Sequence, residues 1–295
     1  MDKLINCQAV VDKIMNGVKK DVARIAELYG DAPRLAVILV GNDPASEVYV
    51  RNKTRRCEQA GIECETIHLP ADTTMSMLKS HILGLNKNES VHGILVQMPL
   101  PRHIDADEII NTIDPMKDVD GLHPFNQAQL LNNKHPRLEP CTPAGVMKIL
   151  SEVYGEGPLS GKAITILGRS RLFGQPMAQM AVNADMTVSI CHSKTGELDK
   201  FVLMQNADVV VSAIGKPKEL NADDFTEFTT IIDVGINRDE NGKLCGDVDT
   251  QDILDTLDRV QITPVPGGVG IVTTAMLMEN VVHAYCIQNQ IYAGK

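Results

Sequence analysis

The chain switches repeatedly between two kinds of apolar spacing. Ile5, Ala9, Val10, Ile14, Val18, Val22, Ile25 and Leu28 recur at helical intervals and stop at Gly30, a residue suited to a helix end. Residues 35–40 then form an unbroken apolar run of strand length, followed by the turn residues Gly41-Asn42-Asp43-Pro44. The pattern goes on to predict a helix from near Ser46 to Gly61, a strand over 63–69, a helix over 73–85 and a strand over 91–96 that runs into Pro99-Leu100-Pro101. Over 123–142 the periodicity fades into Pro, Asn, Gln and His, the composition of a linker. The chain then begins again. Thr142 as N-cap with Pro143 behind it opens a helix to about 154, followed by a strand over 163–167, a glycine-bearing turn over 168–176 and a helix to 184. Strands follow over 187–191, 209–214 and 230–234. Residues 262–264 introduce a glycine-rich turn, and 273–286 form a last, long apolar helix.

Strands alternating with helices predict an α/β protein built on parallel sheets, and 295 residues predict two domains. Composition narrows the partners. A formal net charge of −10 argues against duplex nucleic acid or an anionic membrane, both of which require a basic face. Aromatic residues at 3%, with no Trp, leave no stacking platform for single strands, so a small molecule is the expected ligand. The seven cysteines form no Cys-x-x-Cys pair and no zinc-spaced cluster, which predicts reduced, mostly buried thiols and no metal. No charged segment followed by an apolar stretch opens the chain, and no apolar run is long enough to cross a bilayer; the expected location is the cytoplasm.

Ligands of parallel sheets gather at the carboxyl ends of the strands, which singles out a few side chains. Tyr49 and Lys53, four apart on the helix that leaves the first strand, share a face; taken alone, they are also what any amphipathic helix displays. Gln97 leaves another strand end just before prolines that cannot continue a ladder, so its amide either projects or caps neighbouring backbone. Asp118 and Asp120 would point the same way in an extended segment, or else belong to a solvated turn. In the second half, Gly168-Arg169-Ser170 lies between a strand and a helix amino terminus, a cradle for phosphate although not the Gly-x-Gly-x-x-Gly fingerprint. The next strand ends without the acidic residue that selects a free ribose 2′-hydroxyl. Ser193 and Lys194, with Arg169, suit a 2′-phosphate instead and favour NADP over NAD; a solvated loop charge is the other reading of Lys194.

Nine motifs in order, spanning nearly the whole chain, resemble the bifunctional methylenetetrahydrofolate dehydrogenase/methenyltetrahydrofolate cyclohydrolase family, the bacterial FolD type. They are Tyr49-x-x-x-Lys53, Val96 to Pro101, Lys117 to Gly121, Cys141-Thr142-Pro143-x-Gly145, Gly168-Arg169-Ser170, Cys191 to Thr195, Asp233 to Asn237, Gly246-Asp247-Val248 and Pro264 to Gly270. The resemblance implies a folate-binding catalytic domain at 1–121 with 275–295 and a Rossmann-like NAD(P)-binding domain at 122–274. The last helix would pack back on the first domain, and folate would lie in a cleft between the two. It implies oxidation of 5,10-methylene-tetrahydrofolate to the methenyl form with NADP, then hydrolysis to 10-formyl-tetrahydrofolate for one-carbon metabolism and purine biosynthesis, by a cytoplasmic homodimer. By the same resemblance Lys53 is the general acid/base, Gln97 its hydrogen-bonding partner, Tyr49 a folate-orienting ring, and Asp120 the acceptor for the pterin's donor edge. Pro264, Gly267 and Gly268 would line the substrate site, with Gly168, Arg169, Ser170, Ser193, Lys194 and Ile236 on the cofactor.

Two departures from the family pattern fall on the cofactor side. Phe173 stands where Val is usual, and Ile271 where Pro is usual, which frees a backbone N–H at the start of the last helix. They leave open a cyclohydrolase with an impaired cofactor site and, from another class, a noncatalytic nucleotide sensor.

Overall fold

The computed structural model describes residues 3–132, 138–155 and 157–291. They form two compact units, one of residues 13–141 with 274–295 and one of residues 1–12 with 142–273. Compactness thus groups residues 1–12, 122–141 and 274 differently from the division drawn on the sequence.

The first unit takes in most of α1 (Cys7–Tyr29), then β1 (Arg34–Val40), α2 (Pro44–Ala60), β2 (Glu63–Leu69), α3 (Met75–Lys87), β3 (Gly93–Val96) and two short helices, α4 (Ala106–Ile110) and α5 (Pro124–Leu131). Its sheet is parallel in the order β2-β1-β3. The central β1 is apolar without interruption because both its faces are covered, and Leu35 to Val40 are all buried. Ala36, Ile38 and Ile94 meet Leu78 and Ile82 of α3 in one core. Beyond β3 the chain returns as a bridge, with the Ile94 N–H donating to Lys117 O at 2.8 Å.

Two boundaries move from their sequence positions for capping reasons. α2 starts at Pro44 rather than near Ser46, because the Asp43 carboxylate accepts from the Ser46 N–H and hydroxyl, both at 2.8 Å, and Pro44 suits the first turn. α3 starts at Met75, capped by Thr74. The linker expected over 123–142 is corrected as well. Residues 133–137 lie outside the described residues, but α5 occupies 124–131, with the His123 ring accepting from the Phe125 N–H, and the next helix begins at Cys141. Eight residues are too few to show a period.

The second unit holds most of α6 (Cys141–Tyr154), β4 (Ala163–Leu167), α7 (Gly174–Asn183), β5 (Thr187–Cys191), α8 (Glu197–Gln205), β6 (Val209–Ser212), β7 (Thr230–Asp233), the small hairpin β8 (Asn237–Arg238) and β9 (Leu244–Cys245), α9 (Thr250–Thr256) and β10 (Gln261–Ile262). Its five-stranded sheet is parallel in the order β10-β7-β6-β4-β5, a doubly wound pattern, over a core that includes Leu167, Val210, Ile231 and Ile262. The amino-terminal residues join its edge: the Ile5 N–H donates to Ile262 O, and the Ile262 N–H to Lys3 O.

The last helix, α10 (Val269–Gln288), starts before the expected Thr273. With 20 residues it is long and apolar enough to cross a bilayer, contrary to the sequence expectation that no segment is. Its apolar side chains serve a core instead, with Ala275, Met276, Leu277, Met278, Val281, Val282 and Ala284 all buried. It packs on the first unit, where the Gln288 amide donates to His92 O at 2.8 Å.

Candidate active site

In the first unit the order β2-β1-β3 puts a topological switch point between β1 and β3, at the strands' carboxyl ends. α2 leaves β1 there through Gly41, whose φ of 86° suits glycine and whose carbonyl accepts from His68 Nε2 at 2.7 Å. Lys53, three turns into α2, donates from Nζ to Gln97 Oε1 at 3.0 Å. Gln97 is buried at the end of β3, and its Nε2 donates to Met98 O at 2.6 Å. That second bond fixes which end of the amide faces the lysine. Tyr49 is exposed one turn before Lys53, and its hydroxyl has no hydrogen-bond partner among the described residues.

The two aspartates part company. Asp118 is buried, and its carboxylate accepts from the Leu122 N–H at 3.2 Å, the His123 N–H at 2.8 Å and Asn126 Nδ2 at 2.9 Å; burial pushes its pKa above the usual carboxylate range. The expectation of parallel side chains, and that of a solvated turn, both fail here. After the bridge at Asp118 the backbone turns, with the Gly121 N–H on Asp118 O, rather than running extended. Asp120 is half-buried, and its carboxylate has no partner among the described residues. A Cβ on Gly121 would lie 2.5 Å from the Glu139 carbonyl, so only glycine permits this close passage.

Sequence reasoning gave no role to the groups that hold Asp120. Asn280 of α10 donates from Nδ2 to Val119 O at 2.9 Å and to Glu139 O at 2.8 Å, with Cys141 Sγ at 3.4 Å. Burial pushes the Cys141 thiol up, the Asp120 and Asp118 charges add to this and the Lys53 charge opposes it. The Cys141-Thr142-Pro143 motif was the only signal for it.

In the second unit the switch point lies between β4 and β6. Gly168 takes a φ of 123°, and a Cβ there would lie 2.7 Å from Ala213 O; its N–H donates to Cys191 O at 2.8 Å. That bond sets the turn after β4 beside the turn after β5. Ser170 Oγ accepts from the Phe173 N–H at 3.2 Å and the Gly174 N–H at 3.4 Å, which commits it to the start of α7. Phe173 itself is buried. Arg169, Ser193 and Lys194 are exposed, and neither cation has an acidic partner among the described residues. A backbone that admits close approach, a helix amino terminus and two uncommitted cations are a donor set that fits a dinucleotide phosphate.

Further along, Gly267 takes a φ of 96°, and a Cβ on Gly268 would collide with Pro264 O. The N–H that Ile271 has and proline would lack donates to Gly268 O at 3.3 Å. Ile236 is exposed, and its Cδ1 lies 3.8 Å from where a Gly270 Cβ would be. Behind these turns Asp233 and Asp247 are buried. Asp233 accepts from the Gly235, Asp247 and Val248 N–H groups, and Asp247 from Ser212 Oγ, the Ile214 and Lys216 N–H groups and Asn237 Nδ2. Both lie in motifs that the sequence reading singled out, but it assigned neither aspartate a role. Among the described residues no group of three or more His, Cys, Asp or Glu is placed to hold a metal.

Two parallel-sheet units, one carrying a lysine, an amide and an open carboxylate and the other a glycine turn at a helix amino terminus, fit a two-domain nucleotide-binding α/β enzyme. The model of the tetrahydrofolate dehydrogenase/cyclohydrolase catalytic domain matches residues 5–120, and that of the NAD(P)-binding domain of the same family matches residues 140–289. The chain belongs to this family. A bifunctional protein FolD from Magnetococcus marinus is 45% identical, with 96% of each chain covered. The crystal structure of the bifunctional FolD of Campylobacter jejuni superposes with a TM-score of 0.90 at 43% identity, over 96% of this chain and 98% of that one. The Trypanosoma brucei enzyme, solved with NADP and an inhibitor, gives 0.89 at 34% identity, over 97% and 98%.

Proposed function

We propose that this protein oxidises 5,10-methylene-tetrahydrofolate to 5,10-methenyl-tetrahydrofolate with NADP as the acceptor, and then hydrolyses the product to 10-formyl-tetrahydrofolate. The observation that carries this reading is the Lys53 Nζ to Gln97 Oε1 bond of 3.0 Å at the sheet's switch point, on the same lobe as an unpartnered Asp120. A carboxylate with free lone pairs is the acceptor that a pterin's adjacent ring N–H and amino donors require. Asp120 binds and orients the folate there, and Tyr49 packs on it. A lysine works as a base only in its neutral form, and a hydrogen bond from Nζ to an amide oxygen aims the amine without pairing it with a counter-charge. In the hydrolytic step Lys53 Nζ takes a proton from the water attacking the one-carbon bridge and returns one to the ring nitrogen that leaves. Gln97 holds Nζ in place meanwhile.

NADP, when bound, supplies the nicotinamide that accepts the substrate's hydride. Gly168 and the α7 amino terminus would hold its pyrophosphate, Arg169, Ser193 and Lys194 its 2′-phosphate, and Ile236 would lie along it. Pro264, Gly267 and Gly268 would line the substrate. As functional domains we take 1–121 with 275–295 for folate and catalysis, and 122–274 for the cofactor. Phe173 buried and the Ile271 N–H satisfied support a working cofactor turn rather than an impaired one. A cytoplasmic homodimer whose product feeds purine biosynthesis completes the reading; these parts rest on the family resemblance, and light scattering on the purified protein tests the dimer. The central test supplies methylene-tetrahydrofolate with NADP or NAD and follows NADPH and 10-formyl-tetrahydrofolate together. Both should form, faster with NADP; absence of the reduced nucleotide would overturn the dehydrogenase half.

A further inference from the structure

The buried Asp233 and Asp247, at the carboxyl end of the second sheet, have no cationic partner among the described residues. N–H and hydroxyl groups of the surrounding turns satisfy them instead. Asp247 Oδ2 accepts from Ser212 Oγ at 3.0 Å and the Ile214 N–H at 2.8 Å, and its Oδ1 from the Lys216 N–H at 3.0 Å and Asn237 Nδ2 at 2.9 Å. Asp233 Oδ1 accepts from the Gly235 N–H at 2.9 Å and the Asp247 N–H at 3.1 Å, and its Oδ2 from the Val248 N–H at 2.9 Å. The Asp233 N–H in turn donates to Thr263 Oγ1 at 2.8 Å, just before the turn from Pro264 to Gly268. Glycine makes room for both side chains, since a Cβ on Gly235 would collide with Asp247 Oδ1 and one on Gly246 with Asp233 Oδ2. Each carboxylate thus lies against the glycine of the other's motif, and together they tie the turns after β6, β7 and β9 to one another.

The turn after β6 is also what the glycine turn after β4 rests on. The Ile214 and Lys216 N–H groups lie on either side of Gly215, which takes a φ of 70°, and both converge on Asp247. One residue earlier, the Ala213 N–H donates to Leu167 O at 2.9 Å, and Ala213 O is the atom that a Cβ on Gly168 would meet. We infer that Asp247 is a positioning residue for the nucleotide: it anchors the turn after β6 against Gly168 and so sets the shape of the turn in which the pyrophosphate is held. This rests on the proposed role of Gly168 and the α7 amino terminus. Asp247 is fully buried, so it acts through these two N–H groups and not by contact with a ligand. An amide in its place fails whichever way it turns, because both carboxylate oxygens accept from a backbone N–H and the NH2 group would oppose one of them.

The test titrates NADP into the full-length protein by calorimetry, with urea midpoints to show that each variant is folded. Asp247→Asn should weaken NADP binding at least about tenfold, and should raise the KM for NADP by a similar factor while kcat at saturating NADP changes little. Loss of stability alone would lower the active fraction and leave KM where it was. Ser212→Ala takes one donor from the same carboxylate but leaves both backbone bonds, and should bind NADP within about twofold of the unaltered protein; a loss equal to that of Asp247→Asn would overturn the backbone route. Gly215→Ala has open space for its methyl and strains only the left-handed backbone of the same turn, so it should weaken NADP binding in the same direction. Unchanged affinity in that variant would overturn the inference even if Asp247→Asn fails to fold. Equal NADP affinity in folded Asp247→Asn and the unaltered protein overturns the inference and leaves the proposed function standing. Absence of NADP binding by the unaltered protein overturns the proposed cofactor and the inference with it.

Discussion

In the proposed mechanism Lys53 is the one proton acceptor and Asp120 the one open carboxylate, so each should fail in its own way when altered. Lys53→Met should abolish methenyl-tetrahydrofolate hydrolysis while leaving NADP binding intact; retained hydrolysis, read from loss of the methenyl chromophore, would remove the lysine from the mechanism. Asp120→Asn should cost folate affinity at least about tenfold, because an amide offers one acceptor and a misplaced donor, and a binding titration measures it. Asp233 makes a pH prediction. Its carboxyl is raised from 3.8 to about 6, chiefly by burial. The folded state therefore holds the proton more tightly than the unfolded chain, and this contribution to stability is full below about pH 4 and lost as pH rises through about 6. The unfolding free energies of the unaltered protein and Asp233→Asn should draw apart by about 2–3 kcal/mol as pH falls from about 7 to about 4, read from urea midpoints. The gap should not widen if the carboxyl titrates in its ordinary range.

At the scale of elements, the sequence was informative where one element explains its own residues. β1 was legible as a continuous apolar run and β2 by its bounds, and the switch-point rule led from there to Lys53 and Gln97. The short helices α4, α5, α8 and α9 were not, since segments of that length owe their helicity to tertiary packing rather than to a period. The divergence of Asp118 from Asp120 was equally hidden, because it is decided by Asn126, Glu139 and Asn280, of which the last lies on a helix at the far end of the chain. Asn280→Ala should remove one donor from each of the Val119 and Glu139 carbonyls, at a cost of about 2 kcal/mol, and should weaken folate binding with no change in the KM for NADP. Asp43→Ala removes the α2 cap and should cost about 1 kcal/mol in denaturant midpoint. As α2 carries Lys53, the hydrolytic rate should fall with it.

For the whole molecule, the proposed proton-transfer residue Lys53 and the proposed 2′-phosphate cations Arg169 and Lys194 belong to different sheets, and substitutions should separate hydrolysis from nucleotide recognition. Arg169→Ala and Lys194→Ala should each raise the KM for NADP about tenfold, change that for NAD little, and leave hydrolysis of supplied methenyl-tetrahydrofolate untouched. Equal effects on both nucleotides would mean that these cations do not read the 2′-phosphate. The net charge of −10 sharpens the point, since an anionic cofactor approaching an acidic protein depends on the few uncommitted cations it meets.

The strand orders β2-β1-β3 and β10-β7-β6-β4-β5 share one arrangement around β1 and β4, each the first strand of its sheet in chain order and flanked on both sides, β1 by β2 and β3 and β4 by β5 and β6. In both, the connection that follows that strand carries residues of the proposed sites, Lys53 on the helix after β1 and Gly168 and Arg169 in the turn after β4, and the turn that precedes it carries none. The molecule is therefore polarised for engineering. A few residues inserted between α1 and β1, at residues 30–32, should leave both activities and their KM values unchanged, whereas the same insertion between β1 and α2, at residues 41–43, should silence hydrolysis in a protein that still binds nucleotide.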